Sequence, residues 1–272
     1  MSNDTLSTVM KDYEYKSRVY LKEKEPVIIR IDGKAFHTFT RGFVKPFDNI
    51  MTNAMYDTMK YLCEHIDGCV LGYTQSDEIT LVLCDYKRAE TQAWFANNLQ
   101  KVCSVSASMA TAVFNRVFAD AVHIESMFRN DLIEKGAYND KRSIFIASDL
   151  KMAMFDSRAY NLPVAKVLDC LVWRQKDAIR NSIEATAHAH FSTKQLHKKN
   201  CNAMKEMLLQ EKSIDWDKLP IALQRGACCV KQTYTWVADD GNEVIRSKWV
   251  IDKDTPLFSE NPEYVNSRIM FK

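Results

Sequence analysis

The stretch CVLGYTQSDEITLVL (Cys69–Leu83) holds two apolar, strand-like runs, CVLGYT and ITLVL, separated by Gln75, Ser76 and the adjacent carboxylates Asp77 and Glu78. Four intervening residues are hairpin spacing between two strands. A hairpin with two acids at its tip needs a compensating cation or hydrogen bonds, because buried uncompensated carboxylates cost stability.

Working outward, PVIIRID (Pro26–Asp32) is a β-branched run that stops at a carboxylate and Gly33, as a buried strand feeding a functional loop would. Met51, Ala54, Met55, Met59, Leu62 and Ile66 then recur at three- and four-residue steps, with Pro46 and Asp48 suited to opening that helix. After the hairpin, Arg88 to about Phe118 is free of Gly and Pro. Trp94, Phe95, Leu99, Val102, Val105 and Met109 suit a second helix there. MAMFDSRAY (Met152–Tyr160) reads as a further strand, with residues 119–150 as an insertion or helical detour.

The resulting β-α-β-β-α-β order predicts an α+β, ferredoxin-like antiparallel sheet with helices on one face, over residues 1–160. Residues 161–272 are expected to form an extension packed on it. Pro163 opens a long helical stretch, and LPIALQRGACCVKQTYTWV with EVIRSKWVI alternates as a hairpin or small sheet would.

Composition excludes several classes. With 272 residues, 46% of them hydrophobic, the chain can fill a sizeable core. Its 37 Lys and Arg against 35 Asp and Glu mean that any nucleic acid must be met by a local patch. The eight cysteines form no C-x-x-C pair, which disfavours zinc or a disulfide framework and suits reduced thiols. The first twenty residues lack the apolar core of a signal peptide, and no stretch approaches the roughly 18 apolar residues of a membrane span, so a cytoplasmic protein is expected.

If the strand ending at Asp32 lies beside the hairpin, Asp32 and Asp77 meet at one sheet end, where two carboxylates ionise together only with a cation. Magnesium suits such a pair, since it takes oxygen ligands from one or two carboxylates plus phosphates. In-line phosphoryl or nucleotidyl transfer with two metals about 3.5–4 Å apart is the chemistry implied. No Walker motif occurs, but Gly33 and the following backbone N–H groups in DGKAFHTF can cup phosphates, with Lys34, Arg41 and Lys45 as nearby cations. An ordinary strand-ending turn gives the same D-G pair. Neighbours in extended chain point to opposite faces, so Asp77 is expected to face Asp32 while Glu78 supports the hairpin from the other face.

Other polar residues read more plainly. His188 and His190, two apart, do not share a helix face as a metal pair would. KQLHKKN (Lys194–Asn200) is a solvated face whose Lys198 and neighbours could meet RNA phosphates. WRQKDAIRN places Arg174, Lys176 and Arg180 along one helix beside Trp173, suited to triphosphate or nucleic acid and equally to an ordinary surface.

Taken in order, RIDGKAFHTFT, FVKPFD, GYTQSDEITLVL, FDSRAYNLP, LVWRQKDAIRNSI and RGACCVK resemble the tRNA-His guanylyltransferase family. The similarity is greatest to its prokaryotic guanylyltransferase-like proteins, the 3′-to-5′ RNA polymerases. The resemblance implies a polymerase-like palm, ATP or GTP as substrates, tRNA as partner and a homotetramer. It implies that Asp32, the Gly33 carbonyl and Asp77 hold two Mg²⁺ ions, and Asp32, Asp77 and Glu78 are the candidate catalytic residues. It further implies that the backbone of Gly33, Lys34, Ala35, Phe36 and His37, with Lys45 and Ser76, holds the triphosphate.

Where family members that build tRNA-His identity carry His-Ile-Asn-Asn, this chain has Ile179, Arg180, Asn181 and Ser182. That difference favours template-directed repair of tRNA 5′ ends over untemplated guanylyl addition. A palm-type nucleotidyl cyclase and a non-catalytic RNA-binding palm are the alternatives.

Overall fold

The computed structural model describes residues 3–88, 90–134, 152–237 and 242–271. An N-terminal helix, α1 (Asn3–Lys16), precedes β1 (Val27–Gly33), the short α2 (Phe36–Phe39) and α3 (Asn49–His65). Asp48 opens α3 by accepting the backbone N–H of Ile50 and Met51 at 3.0 and 3.2 Å. The hairpin follows as β2 (Cys69–Gln75) and β3 (Glu78–Leu83), then α4 (Leu99–Glu134) and β4 (Phe155–Asn161).

β4, β1, β3 and β2 are hydrogen-bonded in that order and all antiparallel, the arrangement that the β-α-β-β-α-β reading requires. Beyond them come α5 (Val164–His190), α6 (Thr193–Leu196), α7 (Cys201–Lys212), α8 (Ile221–Arg225), β5 (Ala227–Val237), β6 (Glu243–Asp252) and α9 (Glu263–Ile269). The β5–β6 hairpin joins the palm sheet itself, pairing Gly72 with Cys229 and Thr74 with Ala227, so one sheet of six strands results.

Alternation along the strands sends side chains to two cores. Val27, Ile29, Ile31, Ile79 and Leu81 pack on Met55, Met59 and Leu62 of α3 and on Val102 and Phe114 of α4. Ile28, Leu71, Tyr73 and Val82 face the other way, onto Val167 and Leu171 of α5 and Val265 and Ile269 of α9. Residues after 161 therefore cover the face that the β-α-β-β-α-β unit alone leaves open. Covering on both faces explains the unbroken apolar run Val27–Ile29. Each fully buried isoleucine there contributes roughly 1.5–3 kcal/mol. A third cluster joins Ile183 and Ala187 at the far end of α5 to Leu208 of α7 and to Trp216.

Two local expectations are corrected. Trp94 and Phe95 precede the helix, in a tight turn where Phe95, Ala96 and Asn97 have φ of 52, 47 and 58°. Asn98 then accepts the N–H of Lys101 and starts α4, an Asn-cap stop to any helix running in from Arg88. The expected absence of a long apolar stretch also fails: Leu99–Glu125 of α4 is long and apolar enough to cross a membrane by length and composition. Val102, Ala110 and Phe114 of this segment are buried against the sheet, while most of its apolar window is not buried. Part of the segment 119–150 is simply the continuation of α4 to Glu134, and the remainder lies outside the described residues.

Candidate active site

The end of β1 and the tip of the β2–β3 hairpin meet. Gln75 pairs with Glu78, leaving Ser76 and Asp77 as a two-residue turn, with Ser76 in the left-handed region at φ 54°. The Gly33 N–H donates to the Asp77 carbonyl at 3.1 Å, tying the tip to the strand end. A Cβ at Gly33 would overlap the Phe36 ring, which is buried among Phe39, Phe114 and Phe155. Ala35, at φ 53°, then turns the chain into α2.

A cleft of about 460 Å³ opens at this junction. Asp32, Gly33, Ala35, Phe36, His37, Lys45, Ser76 and Asp77 all line it, which brings together the expected metal and triphosphate residues other than Lys34. Lys34 is exposed, and its N–H donates to the Met154 carbonyl at 2.7 Å. The outer wall is the Val44–Asp48 loop, Met51 and Ala185 of α5. Asp48 shapes that loop, because its buried carboxylate also accepts the Val44 N–H at 3.1 Å. A smaller cavity of about 130 Å³ shares Pro46, Asp48, Met51, Ser76 and Ala185 with the cleft and continues to Tyr56, Thr74, Asn181 and Ser182.

Burial pushes the Asp77 carboxyl above its ordinary range, the hydrogen bond from Ser76 Oγ at 3.0 Å opposes this, and the charge of Asp32 adds to it. Arg158 reaches Asp32 only at 4.0 Å and pairs with exposed Asp156 at 2.9 Å. The two cleft carboxylates thus repel each other with little cationic relief, and a hard cation would supply it. Among the described residues no group of three or more His, Cys, Asp or Glu side chains forms a metal cluster. Asp32, Asp77 and the Gly33 carbonyl form a sparse oxygen set that fits magnesium, whose remaining ligands are usually water and phosphate.

Glu78 stands elsewhere than expected. It is the cross-strand partner of Asp32, and directly opposed residues share a sheet face, so it lies on the α5 side with Asp32 rather than on the opposite face. There Arg30 Nη2 approaches it at 3.0 Å and Arg174 Nε at 2.8 Å. Burial raises its carboxyl above the ordinary value, Arg174 and then Arg30 pull it back, and Asp32 raises it slightly.

Arg174 is buried, and its Nη2 also meets Asp177 at 2.6 Å. It bridges helix and hairpin instead of facing solvent as a free RNA contact would. Arg180 is exposed and paired with Asp177, and Lys176 is exposed. Asn181 reaches the smaller cavity, whereas Lys198 sits exposed in the turn before α7, away from both cavities' lining. His188 and His190 are exposed in the last turn of α5. Sequence reasoning missed the burial of Arg174, although Cys170, Arg174, Ala178 and Ser182 recur every four residues on a core-facing stripe.

The chain matches the sequence model of the tRNAHis guanylyltransferase family, Thg1, over residues 7–163. A bacterial Thg1-like protein solved in complex with ATP superposes with a TM-score of 0.81 at 40% identity, covering 98% of this chain and all of that one. A bacterial Thg1-like protein in complex with GTP gives a TM-score of 0.76 at 37% identity, covering 97% and 98% of the two chains. The tRNA(His) guanylyltransferase of Schizosaccharomyces pombe is 30% identical over 181 residues, 65% of this chain and 58% of its own length. An uncharacterized protein of Acanthamoeba polyphaga mimivirus is 28% identical over 85% of this chain and 78% of its own. With the palm sheet, the carboxylate-lined cleft and these matches in agreement, the chain belongs to the tRNA(His) guanylyltransferase family and is a nucleotidyltransferase that adds nucleotides to tRNA.

Proposed function

We propose that the protein adds nucleotides to the 5′ end of tRNA in the 3′-to-5′ direction, copying the opposite strand, and so repairs truncated 5′ ends. The observation that carries this reading is the convergence of Asp32, Gly33, Ala35–His37, Lys45, Ser76 and Asp77 on one cleft. Lys45 and the backbone after Gly33 bind the triphosphate of the incoming ATP, GTP or other nucleotide. Its 3′-hydroxyl attacks the α-phosphorus of a 5′-triphosphate on the tRNA; a P–O bond forms there, the bond to the β-phosphate oxygen breaks, and pyrophosphate leaves. A 5′-monophosphate end is first activated: its phosphate oxygen attacks the α-phosphorus of ATP and pyrophosphate leaves, and the later attack of the 3′-hydroxyl on that end expels AMP. Asp32, Asp77 and the Gly33 carbonyl would hold Mg²⁺, which when bound offsets the charge on the attacking and leaving oxygens.

Templated addition is favoured by the side chains that stand in the helix after WRQ. Ser182 Oγ donates to the Leu223 carbonyl at 2.7 Å and accepts from Trp216 Nε1 at 3.0 Å, and Arg180 is paired with Asp177. Ser182 is thereby committed to the fold rather than presented to a particular tRNA, while Arg180 stays exposed beside Asp177. The same reading makes the protein a cytoplasmic homotetramer, for which sedimentation at several concentrations is the measurement.

The test supplies a 5′-phosphorylated tRNA lacking its first nucleotides, with Mg²⁺ and all four nucleotides. Extension should stop once the acceptor stem is paired, and Asp32→Ala or Asp77→Ala should abolish it. Addition of guanosine only to full-length tRNA-His would select untemplated transfer, and cyclic product made without RNA would select a cyclase.

A further inference from the structure

A third cavity, of about 430 Å³, lies at the other end of the β2–β3 hairpin, where Cys69 begins one strand and Cys84 follows the other. With about 3.3 Å per residue over β2, it stands roughly 20 Å from the Asp77 turn, farther than one nucleoside triphosphate reaches. Four cations line it: Lys87 and Arg88 after β3, Lys231 on β5 and Arg268 on α9. Hydroxyls of Thr91 and Ser267 join them, and no acidic side chain is among the described lining residues.

This concentration is local, since the whole chain carries a formal net charge of +2. Among the described residues none of the four cations has a carboxylate within ion-pair distance. Aromatic faces hold the stems instead. Lys87 Nζ sits 5.4 Å from the Phe271 ring centre, Lys231 Nζ 5.8 Å from that of Trp249, and the Arg268 guanidinium 4.4 Å from that of Tyr264. One Arg268 nitrogen also donates to the Tyr264 carbonyl, which leaves further N–H groups on the fork. Cations gathered and positioned with no carboxylate in ion-pair distance repel one another unless an anion fills the space between them.

We propose that this cavity is a second, non-catalytic anion site that takes phosphate groups, from either an RNA backbone or a free polyphosphate. RNA as the source rests on the tRNA reading above; the polyphosphate does not.

The test compares the native protein with Lys87→Ala/Arg88→Ala and with Lys231→Ala, all exposed positions that spare the core. A 5′-truncated tRNA transcript is titrated without Mg²⁺ or nucleotide across a salt series, and sodium tripolyphosphate is titrated by thermal shift. If RNA phosphates are bound, the double variant should lose at least about fivefold in RNA affinity, and the slope of log affinity against log salt should fall by about 1.5. If free polyphosphate is bound, RNA affinity holds while the tripolyphosphate shift shrinks in both variants. Unchanged binding of both probes in both variants overturns the site. Because neither arm measures nucleotide addition, a protein that extends no tRNA refutes the proposed function without deciding this result.

Discussion

Replacing Arg174 by Met removes the cation that joins α5 to the hairpin while keeping a long apolar stem in the core. The side chain is 8% exposed, and its partners Glu78 and Asp177 are 14% and 25% exposed. Breaking a buried pair by removing one partner costs about 3–5 kcal/mol, because the other charge is left uncompensated. Arg30 remains 3.0 Å from Glu78 and Arg180 remains paired with Asp177, so the loss should sit at the lower end, about 3 kcal/mol. For a chain of this size that lowers Tm by about 6–12 °C. Urea unfolding should show a lower midpoint at an unchanged slope. Adding Glu78→Gln to Arg174→Met should restore part of the loss, since an amide needs no counter-charge, whereas Glu78→Gln alone should destabilise. If Arg174→Met changes stability by less than about 0.5 kcal/mol, or if the two substitutions simply add, Arg174 is not the buried counter-ion described here.

Three further outcomes are expected. Gly33→Ala drives a methyl into the buried Phe36 ring and should cost about 1–3 kcal/mol in denaturant unfolding; full stability would show that the ring can retreat. Asp48→Ala leaves three backbone N–H groups without their carboxylate and should cost up to about 2 kcal/mol, read in the same assay. Asp77 has its folded value raised above its ordinary 3.8, so the stability it contributes is fully present below 3.8 and lost as pH rises through the folded value. In the absence of divalent metal, Asp77→Asn should therefore be more stable than the native protein at neutral pH and lose that advantage in acid. A variant less stable at neutral pH would contradict the burial and repulsion described for this carboxyl.

Local pattern carried much of the fold because several elements state their surroundings in their own residues. Val27–Ile29 is apolar at consecutive positions, as a strand covered on both faces must be. Asp48 followed by apolar residues at three- and four-residue steps announces α3. Attachment of β5 to β2 was not legible, because pairing Cys229 with Gly72 joins segments remote in sequence, and nothing local encodes it. The position of Glu78 was missed for a conformational reason. Ser76 takes a left-handed turn, so the hairpin needs only two loop residues and Glu78 enters the strand opposite Asp32. In α1, Leu6, Val9, Met10 and Tyr13 recur at the three- and four-residue steps of a core face yet all face solvent, because spacing alone does not say whether anything packs on it.

The Arg30–Glu78–Arg174 cluster has a consequence for the order in which the chain is made. Synthesis delivers β1, β2 and β3 before α5, so the hairpin can pair with β1 while Arg174 is still unmade. Of the two arginines that meet Glu78, Arg30 alone is present during that interval. It lies on β1 opposite Thr80, two residues along from Glu78, close enough to neutralise the acid as the sheet assembles. Arg174 completes the set when the helix closes over the sheet, so the two arginines that meet Glu78 serve successive stages of the molecule's birth.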